Sequence, residues 1–117
     1  MSLATRTGLV LVLVLAAAVL PSTASAGVHA ARHCSAGSGL GATYTSNLRV
    51  KGTGCTTGRT VAKGFNTCRK HHKARRCHPS GFRCRESHVA NSPAQRSARV
   101  RCKSGSRVVR FAYTDNK

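Results

Sequence analysis

An alternation of apolar and polar residues along the chain predicts four short β-strands. In the first, residues 47–51, Leu48 and Val50 lie on one face and basic residues lie on the other. Three later runs repeat the same period of two, at residues 82–86, 98–102 and 109–113. Because a turn sequence, Lys103-Ser104-Gly105-Ser106, joins the last two runs, we expect a hairpin there and a three-stranded antiparallel meander.

Between the first strand and the meander, over Cys55 to Lys70, the hydrophobic period changes to three and four. Val61, Ala62 and Phe65 fall on one side of a predicted amphipathic helix. Its opposite side carries the polar residues Arg59, Lys63, Asn66 and Lys70. Glycine is about 1 kcal/mol less favourable than alanine within a helix, so Gly58 requires compensation by packing. We therefore predict a small α+β fold: one short N-terminal strand and one helix packed on the meander.

The period of two in the meander also predicts what its other face carries. If Cys84, Val100 and Phe111 face the helix, the residues between them must point the opposite way. These residues are basic: Arg83, Arg85, Arg99, Arg101, Lys103 and Arg110. Like charges on neighbouring strands repel each other, so we expect this face to serve an anionic partner rather than folding.

The first 26 residues have the features of a signal peptide. Arg6 precedes an apolar run from Gly8 to Leu20, and Ala24-Ser25-Ala26 fits the small-residue cleavage rule, so the mature chain would begin at Gly27. The apolar run is shorter than the roughly 20 residues that span a bilayer. We expect a secreted, extracellular protein without a membrane span, with a flexible lead-in over residues 27–43 and a folded domain over residues 44–117.

Removal of the signal peptide leaves a strongly cationic chain. Of the 20 basic residues only Arg6 precedes residue 27, so 19 remain against Glu86 and Asp115, a formal charge of +17. Such a charge favours anionic partners: cell-wall polymers, acidic lipid headgroups, polysaccharide or nucleic acid. Nucleic acid binding would be non-specific, because bases are usually held on aromatic side chains and the mature chain has only five.

The densest local signal is a basic segment at residues 69–78, which we call the basic loop. Three histidines accompany its permanent cations, and a turn sequence at residues 79–81 follows. The cations are Arg69, Lys70, Lys73, Arg75 and Arg76. We predict that the basic loop binds polyanions together with the basic face of the sheet.

Several short motifs resemble those of short exported actinobacterial proteins, most of which have no assigned function. They are Thr53-Gly54-Cys55 with Val61-Ala62, Gly81-Phe82-Arg83-Cys84, residues 100–105 and Val109-Arg110-Phe111. The resemblance covers residues 47–113 and implies the fold and the compartment, but no site residue. Gly54 departs from the serine common at that position in the group.

Six cysteines in a small exported chain predict three disulfides. The resemblance implies that Cys55 pairs with Cys84. Cys68 and Cys77 are near enough in sequence to close the basic loop, and Cys34 is then left with Cys102. Six cysteines allow many pairings, so this last pair follows only by elimination.

No metal or cofactor is expected. His71, His72, Cys77 and His78 lie close in sequence, but no Cys-x2-Cys or spaced histidine pair accompanies them. Cysteines in an oxidising compartment also pair with each other rather than with zinc. The surrounding positive charge opposes a dication as well.

We do not predict an enzyme, because Glu86 and Asp115 are the only acids and Asp115 falls in a C-terminal tail expected to fray. The leading alternative to polyanion binding is a protein-binding effector or enzyme inhibitor with an acidic partner. A small secreted ribonuclease comes third. Its acid and base would be two of His71, His72, His78 and His88, with Lys70 or Lys73 stabilising the transition state.

Overall fold

The computed structural model describes residues 30–117, so the predicted signal peptide and the Gly27 start lie outside the described residues. Within this part, one helix, α1 (Cys55–Cys68), lies against one antiparallel sheet. The five strands are β1 (Arg32–His33), β2 (Tyr44–Lys51), β3 (Arg83–Asn91), β4 (Gln95–Ser104) and β5 (Arg107–Asn116). Two short 3-10 turns, Ala74–Arg76 and Pro79–Gly81, connect α1 to β3.

The strands lie in the order β1-β2-β5-β4-β3, and each neighbouring pair is antiparallel. The predicted α+β fold and its meander are confirmed, but the sheet has five strands rather than three. β5 extends to Asn116. It pairs with β4 along one edge and with β2, from Tyr44 to Lys51, along the other. Asp115 is therefore part of a paired strand, and the prediction of a frayed tail is wrong.

The core lies between α1 and one face of the sheet. Phe65 is fully buried, and its ring meets the ring of Phe111 edge-on with the centroids 5.9 Å apart. Cys84, Val100 and Phe111 are buried, as the period of two predicts. Other buried members include Leu48, Val50, Val61, Phe82, Ala98, Val109 and Tyr113. The second face of the sheet carries no covering element within residues 30–117.

Residues 30–43, expected to be part of a flexible lead-in, pack on the domain instead. β1 pairs with β2, and the side chain of Leu40 is buried. Asn66 explains this packing, because its Nδ2 donates a hydrogen bond to the carbonyl of Leu40 at 2.8 Å. The prediction that Asn66 belongs to the polar side of the helix is wrong, because Asn66 is fully buried. Its amide oxygen accepts a hydrogen bond from Nε of Arg69 at 3.1 Å, so both ends of the buried amide have a partner.

The structure contains three disulfides, but only one matches the expected pairing. Cys68 is bonded to Cys77, as predicted. The pairs Cys55–Cys84 and Cys34–Cys102 are wrong, because Cys34 is bonded to Cys55 and Cys84 to Cys102. Strand register explains the difference: Cys84 and Cys102 lie directly opposite each other on β3 and β4, with their Cα atoms 4.0 Å apart.

The packing of α1 on β2 gives the first testable prediction. A Cβ atom on Gly58 would lie 2.5 Å from Cγ1 of Val50, a buried and stiff β-branched side chain. We expect Gly58→Ala to lower the free energy of unfolding by about 1–3 kcal/mol through overpacking, despite the better helix propensity of alanine. Urea unfolding measures the change, and Thr60→Ala, on the exposed side of α1, is the control. A more stable Gly58→Ala variant would contradict the close packing.

Candidate polyanion-binding site

The open face of the sheet carries a set of exposed basic side chains that we call the cationic plate. Alternation along four strands places them there, since their neighbours in each strand face the helix. All eight members are exposed: Arg49, Lys51, Arg83, Arg85, Arg99, Arg101, Lys103 and Arg110. The six basic residues predicted from the meander thus share one surface.

The strand register aligns four of these arginines in a single row across the sheet. Arg85 on β3 lies opposite Arg101 on β4, and Arg101 lies opposite Arg110 on β5. Arg110 in turn lies opposite Arg49 on β2. Neighbouring strands are about 4.8 Å apart, so this arginine row crosses roughly 15 Å of the plate.

No described carboxylate neutralises the plate. Glu86 lies opposite Val100 and so faces the helix side. There it accepts a 2.6 Å hydrogen bond from the hydroxyl of Tyr113 and forms an ion pair with Arg96 at 3.1 Å. Among the described residues, no side-chain hydrogen bond or ion pair involves a plate cation. The plate therefore presents its charge to solvent without an internal counter-ion.

Asp115, the second acid, forms an ion pair with Arg69 at 2.6 Å on the helix side of the sheet. Burial raises the pKa of Asp115. This effect of burial is outweighed by hydrogen bonds from Arg69 and from the backbone N–H of Thr43, and by the positive charges of Arg69 and Lys70. The pKa of Asp115 therefore lies below its ordinary value.

The position of Arg69 corrects one predicted site residue. Its side chain is only 6% exposed, and its guanidinium lies 3.5 Å from the centroid of the Tyr113 ring. Arg69 is therefore a structural residue held by Asp115 and a cation–π contact, and it is not available to a polymer. The other predicted cations of the basic loop, Lys70, Lys73, Arg75 and Arg76, are exposed.

The basic loop and the cationic plate meet in one surface cleft of about 760 Å³. The 3-10 turn Ala74–Arg76 lies beside β3, where it brings Arg75 next to the edge of the plate. Arg75 and His78 line the cleft from the loop, and plate residues such as Arg83 and Lys103 line it from the sheet. The two regions predicted separately from the sequence thus form a continuous basic surface.

Sequence reasoning missed two members of the plate, Arg49 and Lys51. The alternation in residues 47–51 shows that they lie opposite Leu48 and Val50, which is the signal that could have found them. The alternation does not indicate where this strand lies in the sheet. Only its pairing with β5 brings Arg49 beside Arg110.

Within residues 30–117, no group of three or more His, Cys, Asp or Glu residues is arranged to hold a metal ion. No helix in the same range has the length and apolar content to cross a membrane. No protein-family model, curated protein or solved structure matches the chain. A function for the plate therefore rests on its own geometry and charge.

Proposed function

We propose that this protein binds anionic polymers or surfaces through the cationic plate and the adjoining basic loop. The supporting observation is the arginine row, four guanidinium-bearing residues at directly opposed positions and without a carboxylate. Like charges on directly opposite residues destabilise a sheet. An anionic ligand would place negative charge among the guanidinium groups, so that attraction to the ligand replaces the repulsion between them.

An extended ligand suits this surface better than a small anion. The row alone crosses roughly 15 Å, and the cleft with Arg75 extends the positive surface onto the basic loop. Cell-wall polymers, acidic lipid headgroups and extracellular polysaccharide have this character. Nucleic acid would bind through its phosphates without reading sequence, because Tyr44 is the one exposed aromatic side chain in the described part of the chain.

Retention on immobilised heparin and on vesicles with acidic headgroups tests the proposal. We expect binding that falls steeply as NaCl rises, with no retention on neutral dextran or zwitterionic vesicles. Binding that is independent of salt, or equal on neutral material, would contradict it. A protein-binding effector or inhibitor, the alternative class, would instead capture one acidic protein at moderate salt.

We propose a secreted location, with which three disulfides in a small domain are compatible. We do not propose an enzyme. His78 and His88 line different clefts of the plate, and neither His71 nor His72 lines either of those two clefts.

The proposal predicts that a plate arginine lowers stability in the absence of a ligand. Arg101 has an arginine opposite it on each side, Arg85 and Arg110. We expect Arg101→Gln to raise the free energy of unfolding by about 0.5 kcal/mol at low salt, because two like-charge contacts are removed. The gain should disappear near 1 M NaCl, where screening is complete within a few ångströms. Thermal unfolding at both salt concentrations measures it, and a loss of stability at low salt would contradict the repulsion.

A further inference from the structure

Two β-bulges interrupt the sheet on opposite sides of its central strands. In β2 the register shifts between Ser46 and Arg49, and in β3 it shifts between Ser87 and Ala90. One row of opposed residues crosses the sheet from Ser87 through Arg99 and Ala112 to Ser46. One bulge begins at each end of this row. They therefore flank the same level of the cationic plate.

Each bulge holds a non-glycine residue in the left-handed region, Asn47 and His88, both with φ of 52°. Such backbone conformations are unfavourable for residues with a Cβ atom, and they are concentrated at functional sites. Between the two bulges lies a cleft of about 500 Å³ that both residues line. We call this the bulge cleft.

Ala112 lines the middle of the bulge cleft, where the other rows of the plate carry longer side chains. Its small side chain leaves a gap among arginines that belong to three different strands. Arg99 lies directly opposite it on β4, and Arg110 lies two residues away on β5. Arg101 and Arg49 also line the cleft, from β4 and β2.

Guanidinium groups that approach from several strands suit one shape of anion. A carboxylate has two oxygens in one plane, whereas a phosphate or sulfate ester directs its terminal oxygens in several directions. Each guanidinium can donate two parallel hydrogen bonds to such a group. Ser87, Asn47 and His88 add further polar groups around the same space.

We propose that the bulge cleft is a subsite for a tetrahedral oxyanion, a phosphate or sulfate ester carried by the polymer. This rests on the proposed function and adds selectivity to it: the rest of the plate attracts any polyanion, and the cleft favours esters over carboxylates. The two sources of the oxyanion share this chemistry, and separate probes distinguish them.

Ala112→Leu tests the subsite because it fills the cleft without changing any charge. Thr114→Leu is the matched control, since Thr114 lies on the same strand and face but outside the cleft lining. The probes are dextran sulfate, inorganic polyphosphate and poly-L-glutamate, each titrated at fixed ionic strength. We expect Ala112→Leu to weaken binding of dextran sulfate, polyphosphate or both about tenfold, and binding of polyglutamate less than twofold. Thr114→Leu should change none of the three by more than twofold.

The outcomes separate the two proposals. If none of the polymers binds the unmodified protein, the proposed function itself fails. If the polymers bind but Ala112→Leu weakens all three equally, or none, only the subsite is overturned. Loss of affinity for dextran sulfate alone identifies the source as sulfate, and loss for polyphosphate alone identifies it as phosphate. Loss for both shows that the cleft accepts either tetrahedral oxyanion.

A second measurement does not depend on the variant folding. Titration of the unmodified protein with inorganic phosphate, sulfate and acetate is followed by the amide NMR shifts. We expect phosphate or sulfate to shift the amides of Asn47, His88 and Ala112 most, and acetate to shift them less. Shifts that are absent, or that spread evenly over the plate, would overturn the subsite.

Discussion

Replacing Arg101 and Arg110 together with glutamine should weaken polyanion binding about 30-fold at low salt. Both residues lie in the middle of the arginine row, so an extended anion that crosses the plate contacts both. Two exposed charge-assisted contacts of about 1 kcal/mol each account for this factor. The slope of the logarithm of affinity against the logarithm of salt concentration should fall by about two, since about one counter-ion is released per neutralised charge.

The control for this prediction removes two charges from elsewhere. Arg32 and Lys63 are both exposed, and both lie on the helix side: Arg32 is opposite Val50, and Lys63 is on the outer face of α1. The variant Arg32→Gln/Lys63→Gln has the same net charge as Arg101→Gln/Arg110→Gln. Titration of labelled heparin with both variants decides the matter. An equal loss of affinity in the two would mean that total charge, and not the row, controls binding.

The second large effect is on stability, and it comes from Asp115→Asn. This change leaves the guanidinium of Arg69, which is 6% exposed, without its counter-ion. Removing one partner of a buried ion pair typically lowers the free energy of unfolding by about 3–5 kcal/mol. We expect about 3 kcal/mol here, since Asp115 is one-fifth exposed. Denaturant unfolding at neutral pH measures it.

A double variant tests the cause of that loss. If the cost arises from an unpaired guanidinium, Arg69→Met in the Asp115→Asn background should recover part of the stability. Lower stability in the double variant than in either single variant would show instead that the packing of Arg69 on Tyr113 dominates.

The same ion pair predicts a dependence on pH. Because the pKa of Asp115 is lower in the folded state than in the unfolded chain, its contribution to stability is complete above the unfolded pKa, near 4. It is lost as the pH falls from there through the folded pKa. We expect the unmodified protein to lose this part of its stability in acid, and Asp115→Asn to lack that component. Parallel pH profiles for the two would contradict the assignment.

The elements predicted correctly are those set by local periodicity. The period of two in residues 98–102 and 109–113 fixes which side chains face the helix, and therefore also places Arg101 and Arg110 together. The spacing of Val61 and Phe65 likewise predicts the buried side of α1. These patterns depend only on neighbours in the chain, so they can be read without knowing the fold.

The errors concern contacts between distant parts of the chain. Nothing local indicates that β2 pairs with β5, or that Cys84 lies opposite Cys102 rather than near Cys55. Arg69 belongs to a run of cations, but the position of Asp115 on β5 decides its role. The bulges at Asn47 and His88 also escape prediction, because a one-residue shift in register leaves no mark in the composition of a polar strand.

For the proposed binding of a polyanion, the hydrogen-bonded strands beneath the arginine row would give a folded domain an advantage over a basic tail. A disordered chain of equal charge would also bind a polyanion, but ordering it on the ligand would cost about 1–2 kcal/mol of backbone entropy for each residue fixed. Here the strands hold Arg49, Arg85, Arg101 and Arg110 at fixed spacing before any ligand arrives. Complexes with this preorganised surface should therefore have longer residence times than those of a flexible polycation with the same number of charges.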